Sequence, residues 1–280
     1  MTNKPIEPGD YLEPRCVLCE EPYGVTAEVK AVPQRRIIEK MNDYMSRRDY
    51  AGAERHLLYW LEEAGLGRDL RGELVLRNEL IGHYRKTGEK EKALEHVEKA
   101  LSLLERLAFE DTISAGTTYV NAGTALNAFS ENERAMELFE KARAVYESIT
   151  GTDPSLLGGL YNNMALTCTA LQRYDDAYEL YGKAMEVMGR VPNGELAQAI
   201  TCLNMADLLA ARDGMEAAER QICDLLDRAY DLLRESGAPR DGYYAFVCEK
   251  CAPAFSYYGY FLAAEDLQKT SEQIYAAEKE

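Results

Sequence analysis

The chain has little of what catalysis or membrane insertion requires. It holds three histidines and one tryptophan in 280 residues. His56, His83 and His96 form no HExxH pair, and no serine or cysteine sits in a nucleophile-elbow context. A Walker loop and a GxGxxG turn are both missing. Carboxylates are plentiful, but their spacing puts them on solvated helix faces. The histidines are expected to be surface or packing residues, and the protein to be no enzyme. No run of about 18 apolar residues occurs, so no transmembrane helix is expected. The start, MTNKPIEPGDYLEP, lacks the apolar segment of a secretory leader. Seven cysteines, an odd number, argue for a reducing cytoplasm over a disulfide framework. A net charge of −16 makes nucleic acid and anionic membranes poor partners. A neutral or basic peptide or protein segment fits that charge better.

Proline is unevenly spread. Five of the nine lie at Pro5, Pro8, Pro14, Pro22 and Pro33, a spacing that no helix survives. Residues 1–33 are therefore expected to form an extended arm, ahead of a helical array over 34–280. The arm contains Cys16 and Cys19, a pair that can share one Zn²⁺ on a turn. A structural zinc site needs four ligands, and the other close pair is Cys248 and Cys251. A zinc site made of all four is one reading. The others are core cysteines with free thiols on a loop, or a redox dithiol without the usual strand–helix context. No cofactor is otherwise expected.

What fills 34–280 is repetition. Tyr161–Met188 reads as two amphipathic helices joined by a tight turn, with apolar residues three and four apart. Anchored on Ala177, the pattern recurs at Ala53, Ala93, Ala135, Ala218 and Ala263, at steps of 40 to 45 residues. Four residues after each anchor comes a large apolar side chain: Leu57, Val97, Phe139, Tyr181, Ile222 or Leu267. Twelve before, four units place a small one: Gly123, Ala165, Ala206 or Cys251. Gly88 ends one helix, and Asp153-Pro154 caps and opens another. Pro253 should kink or weaken the helix that holds it. The units run over about 34–64, 72–106, 114–149, 155–189, 195–235 and 241–280. The polar final helix suits the solvated end that an array needs.

This pattern resembles the tetratricopeptide repeat, in the long form found in kinesin light chains and many bacterial proteins. The resemblance implies an all-α, right-handed superhelical solenoid of about six helical hairpins with an extended N-terminal arm. It implies that first helices line a concave groove, and that the protein is a peptide- or protein-binding scaffold. Two alternatives stay open. One is a peptide-responsive regulator similar to bacterial quorum-sensing repeat proteins, although the arm is too short for their DNA-binding domain. The other is a self-associating structural protein with its arm in its own groove, a homo-oligomer among its possible forms.

Asn121, Asn163 and Asn204 recur one per unit, with Asn162 beside Asn163 and Asn78 in the second unit. Asn162-Asn163-Met-Ala resembles the LNNLA form of kinesin light chains. An amide both donates and accepts, so such a ladder can hold the backbone of an extended peptide. Equally, the asparagines can brace neighbouring helices. Basic groove candidates are limited to Arg35, Arg85 and Lys86, and the middle units offer Thr117, Thr124, Thr169 and Asp207 instead. A clamp for a C-terminal carboxylate is therefore not expected. Tyrosine is abundant, 19 residues, and Tyr243, Tyr244, Tyr257, Tyr258 and Tyr260 cluster in the last unit, as inter-helix filler or as a self-association patch.

Overall fold

The computed structural model describes residues 29–277. Among them all regular structure is helical, twelve α-helices and no strand. The chain divides inside its third helix into two compact units, the first ending at Leu76 and the second starting at Arg77. Residues 1–28, with Cys16, Cys19 and most of the expected arm, lie outside the described residues.

In the first unit, α1 (Gln34–Ser46) pairs with α2 (Tyr50–Leu66), and α3 (Leu70–Thr87) begins. Ile37, Ala53, Leu57 and Ala64 are almost completely buried. Asp69 organises the unit. Its Oδ1 accepts from the Gly72 amide at 2.9 Å and so caps α3. Its Oδ2 accepts from the Val32 amide at 2.9 Å. Lys30 adds a backbone bond to the Gly67 carbonyl at 3.0 Å, so residues 30–32 are laced onto the α2–α3 turn. Gly67 is required there, because a Cβ would strike the Lys30 carbonyl oxygen. Trp60 lines a cavity with Pro33, Ile37 and His56.

The second unit continues α3 and adds α4 (Lys90–Leu107), α5 (Ile113–Ala128), α6 (Asn132–Ser148), α7 (Pro154–Ala170) and α8 (Tyr174–Met188). It ends with α9 (Glu195–Asp213), α10 (Met215–Glu235), α11 (Gly242–Tyr257) and α12 (Phe261–Ala277). Helices pack as hairpins, α5 on α6, α7 on α8, α9 on α10 and α11 on α12. Ala93, Ala135, Ala177 and Ala218 are at most 1% exposed, as are Val97, Phe139 and Tyr181 four residues on from the first three. The small residue lets the helix backbones approach, and the large one fills the space beside the crossing. Gly123 shows the fit directly: a Cβ there would lie 2.7 Å from the Phe139 ring.

Turn chemistry sets the hairpin ends. Asp153 accepts from the Ser155 amide at 2.9 Å with Pro154 in the first turn of α7, and Asp241 caps α11 through the Tyr243 and Tyr244 amides. The turns inside the hairpins each carry a left-handed residue. Gly88 and Gly259 adopt it at φ of 77° and 84°, but Ser130 and Gln172 do so at 63° and 60° without glycine's freedom. The helix α11 runs unbroken through Pro253. The proline is exposed; it removes one helix hydrogen bond and crowds the Glu249 carbonyl, and the buried residues on either side keep the helix in place.

Candidate functional site

First helices lie side by side in the second unit: α5 against α7, α7 against α9, and α9 against α11. Their contact lines carry the asparagines. Asn78 donates from Nδ2 to Thr118 Oγ1 at 2.9 Å, and its Oδ1 accepts from Asn121 Nδ2 at 3.1 Å. Two repeats on, Asn162 Oδ1 accepts from Asn204 Nδ2 at 3.1 Å and from Thr201 Oγ1 at 3.2 Å. Thr118 and Thr201 are buried, and each also returns a bond to its own helix backbone. Four of the five asparagines are thus joined in two pairs, each linking one first helix to the next.

Asn163 is the exception. It stands in the register of Asn121 and Asn204, so its pairing partner would stand 42 residues after Asn78, and that residue is Val120. Valine offers no amide. Asn163 is half-buried and its side chain makes no hydrogen bond to another described residue. Four residues earlier on the same side of α7 is Gly159, where a Cβ would meet only open space. Gly82, four residues after Asn78, is equally open. A helix-interior glycine costs roughly 0.5–1 kcal/mol relative to alanine. Packing explains that cost at Gly123 but not at Gly159 or Gly82.

The hydroxyls of the middle units are occupied. Thr124 donates to the Val120 carbonyl at 2.7 Å and Thr169 to that of Ala165 at 2.9 Å, while Thr117 meets Tyr146 Oη at 3.2 Å. Two carboxylates are different. Glu79 occupies the Asn121 register on α3, and burial raises its pKa above the ordinary carboxylate range. Asp207, on α9, is also pushed up by burial, against the lowering effect of Tyr258, whose hydroxyl donates to Oδ1 at 2.7 Å. Burial lowers the pKa of Arg85. In the first unit Arg35 is exposed and pairs with Glu39 at 2.8 Å.

The remaining candidates are packing groups. His96 stacks on Tyr84 with ring centroids 5.5 Å apart, and burial together with Arg77 lowers its pKa to about 4. In the first unit, His56 Nε2 meets the Ile37 carbonyl at 3.1 Å. Cys248 and Cys251 lie in the core between α9 and α12, where burial pushes their thiols up to about 11 and about 12. Such a site disfavours the thiolate that zinc binds. Among the described residues, no group of three or more His, Cys, Asp or Glu could hold a metal ion. Tyr244 is buried and donates to the Leu233 carbonyl at 2.8 Å, so it is filler, whereas Tyr243 and Tyr257 are exposed. Also among the described residues, no helix is long and apolar enough to cross a membrane.

The missed features are the pairing of the asparagines and the two open glycines. The 42-residue spacing of Asn162 and Asn204 was visible, but which amide meets which depends on how neighbouring first helices slide past each other. The signal for Gly159 was a mid-helix glycine without a large partner across the hairpin.

Residues 73–148 match the family model of the tetratricopeptide repeat. Among curated proteins, no relative matches the sequence. Similar solved structures include the nearly identical TPR-like repeats of a kinesin-light-chain candidate from Podosopora anserina, with 17% identity and a TM-score of 0.49, covering 72% of this chain and 94% of that one. BtubC (BKLC) from P. vanneervenii has 17% identity and a TM-score of 0.46, covering 89% and 93%. Pseudomonas aeruginosa pilF has 17% identity and a TM-score of 0.48, covering 87% and 92%. The match to the tetratricopeptide repeat thus covers residues 73–148, within a longer succession of packed helix pairs.

Proposed function

We propose that this protein is a non-catalytic cytoplasmic scaffold, and that its second unit binds an extended segment of a partner protein along the first-helix face. The observation that carries this reading is Asn163. A half-buried amide with no partner among the described residues has donors and an acceptor to offer, beside a helix surface that Gly159 keeps bare. An extended peptide presents the same groups in backbone form, and close approach of a backbone is what a bare helix surface permits. The paired asparagines then brace the face instead of binding. We take the repeats to span residues 34–280.

Hydrogen exchange of the full chain, with and without peptides selected from a random dodecapeptide display library, tests the reading. Protection confined to α7 and α9 is expected. Protection on α8 and α10 alone would count against it.

A further inference from the structure

Asp207 follows Asn204 by three residues and so projects from the same side of α9. Leu166 follows Asn162 by four and projects from the same side of α7. Asn162 and Asn204 are bonded at 3.1 Å, which fixes the register of the two helices. One turn on from that bond, Leu166 and Asp207 therefore stand on adjacent turns of neighbouring helices. Both are exposed.

The Asp207 carboxylate is aimed but not neutralised. Tyr258, at the end of α11, holds Oδ1 through its hydroxyl at 2.7 Å and so fixes the orientation of the group. Arg212, five residues further along α9, pairs with Asp213 at 2.8 Å and lies 5.9 Å from the Tyr178 ring centroid. Among the described residues, Asp207 has no ion pair. The geometry leaves that aimed carboxylate open to a cation supplied from outside. The chain's net charge of −16 would also draw a basic segment towards it.

We infer that Asp207 is the specificity residue of the face: the partner segment carries a lysine or arginine that pairs with Asp207, next to an apolar residue that rests on Leu166, while its backbone meets the Asn163 amide. This rests on the scaffold reading above. Tyr258 acts as a positioning residue, since its hydroxyl holds the carboxylate while its ring packs against Tyr257.

The test uses the full chain and a random dodecapeptide display library. Selected peptides are resynthesised and titrated by fluorescence polarisation. The wild type is expected to enrich a basic residue at one fixed position beside an apolar one. Asp207→Asn should weaken the selected peptide by about 10- to 100-fold, the range for a lost charge-assisted bond. Changing the basic residue to glutamine should weaken wild-type binding by the same factor and leave the Asp207→Asn variant unaffected. Tyr258→Phe should give a smaller loss, restricted to peptides with the basic residue. Unchanged thermal unfolding would show that both variants fold. Peptides that protect α7 and α9 but lack a basic preference, or that bind Asp207→Asn equally well, overturn this inference and leave the scaffold reading standing. If no peptide is enriched, or protection falls elsewhere, both fail.

Discussion

Asn204 donates to Asn162 across 3.1 Å, tying α9 to α7, while Asn163 beside it finds Val120 where its own partner would stand. Identical side chains at near-identical register thus carry different roles. The difference is energetic and can be measured. Asn162→Ala and Asn204→Ala should each cost about 1 kcal/mol, and the double variant less than the sum, with a coupling of about 0.5–1 kcal/mol. Asn163→Ala should change stability by less than about 0.5 kcal/mol. Urea denaturation of the four variants checks this. Additive effects at 162 and 204 would show that the bond contributes nothing.

Two glycines give an opposed pair. Gly123→Ala places a methyl 2.7 Å from the Phe139 ring and should destabilise by about 1–3 kcal/mol. Gly159→Ala meets open space and should stabilise by about 0.5–1 kcal/mol. Melting temperatures moving in the same direction would refute the assignment of Gly159 to an unpacked surface.

The left-handed turns offer room for stabilisation. Gln172 sits at φ 60°, which costs an L-residue roughly 1–2 kcal/mol, and glycine would return part of that gain as unfolded-state entropy. Gln172→Gly should therefore stabilise by a net of about 0.5–1 kcal/mol, read from the midpoint of a denaturant titration. A loss would mean that the side chain makes a contact worth more than the strain.

Burial raises the pKa of Glu79 from its ordinary 4.5. The folded state then binds its proton more tightly than the unfolded chain. The sign follows: the penalty is complete above the folded pKa, and stability is regained as pH falls from there towards 4.5. Glu79→Gln should be more stable than wild type at pH 7.5, with the gap shrinking towards pH 4.5. A gap independent of pH would place the carboxyl in water.

Much of the fold was legible because stacking repeats its demands. An alanine must recur wherever one helix crosses its partner, and Ala93, Ala135 and Ala177 fell where the crossing lies. The Asp153-Pro154 cap was equally readable, since both residues act within one turn of chain. Features that depend on contacts between repeats were not. The Asn78–Asn121 bond needs the sliding register of two helices, which no local spacing encodes. Ser130 and Gln172 hide a left-handed turn because glycine is favoured there but not compulsory. Pro253 pointed to a weak helix, yet tertiary packing around Cys251, Ala252 and Phe255 holds α11 intact.

The claim that the first-helix face is the binding surface is tested most directly with two tryptophans. Gly159 on α7 and Gly182 on α8 would both leave an added Cβ in open space, so a side chain can start outward at either. For a peptide selected against the wild type, Gly159→Trp should reduce affinity by about 100-fold or more, a loss on the scale of an interface hot spot, while Gly182→Trp leaves it within about twofold. Full affinity in Gly159→Trp, with the loss in Gly182→Trp instead, would contradict the account and move the partner to the second helices.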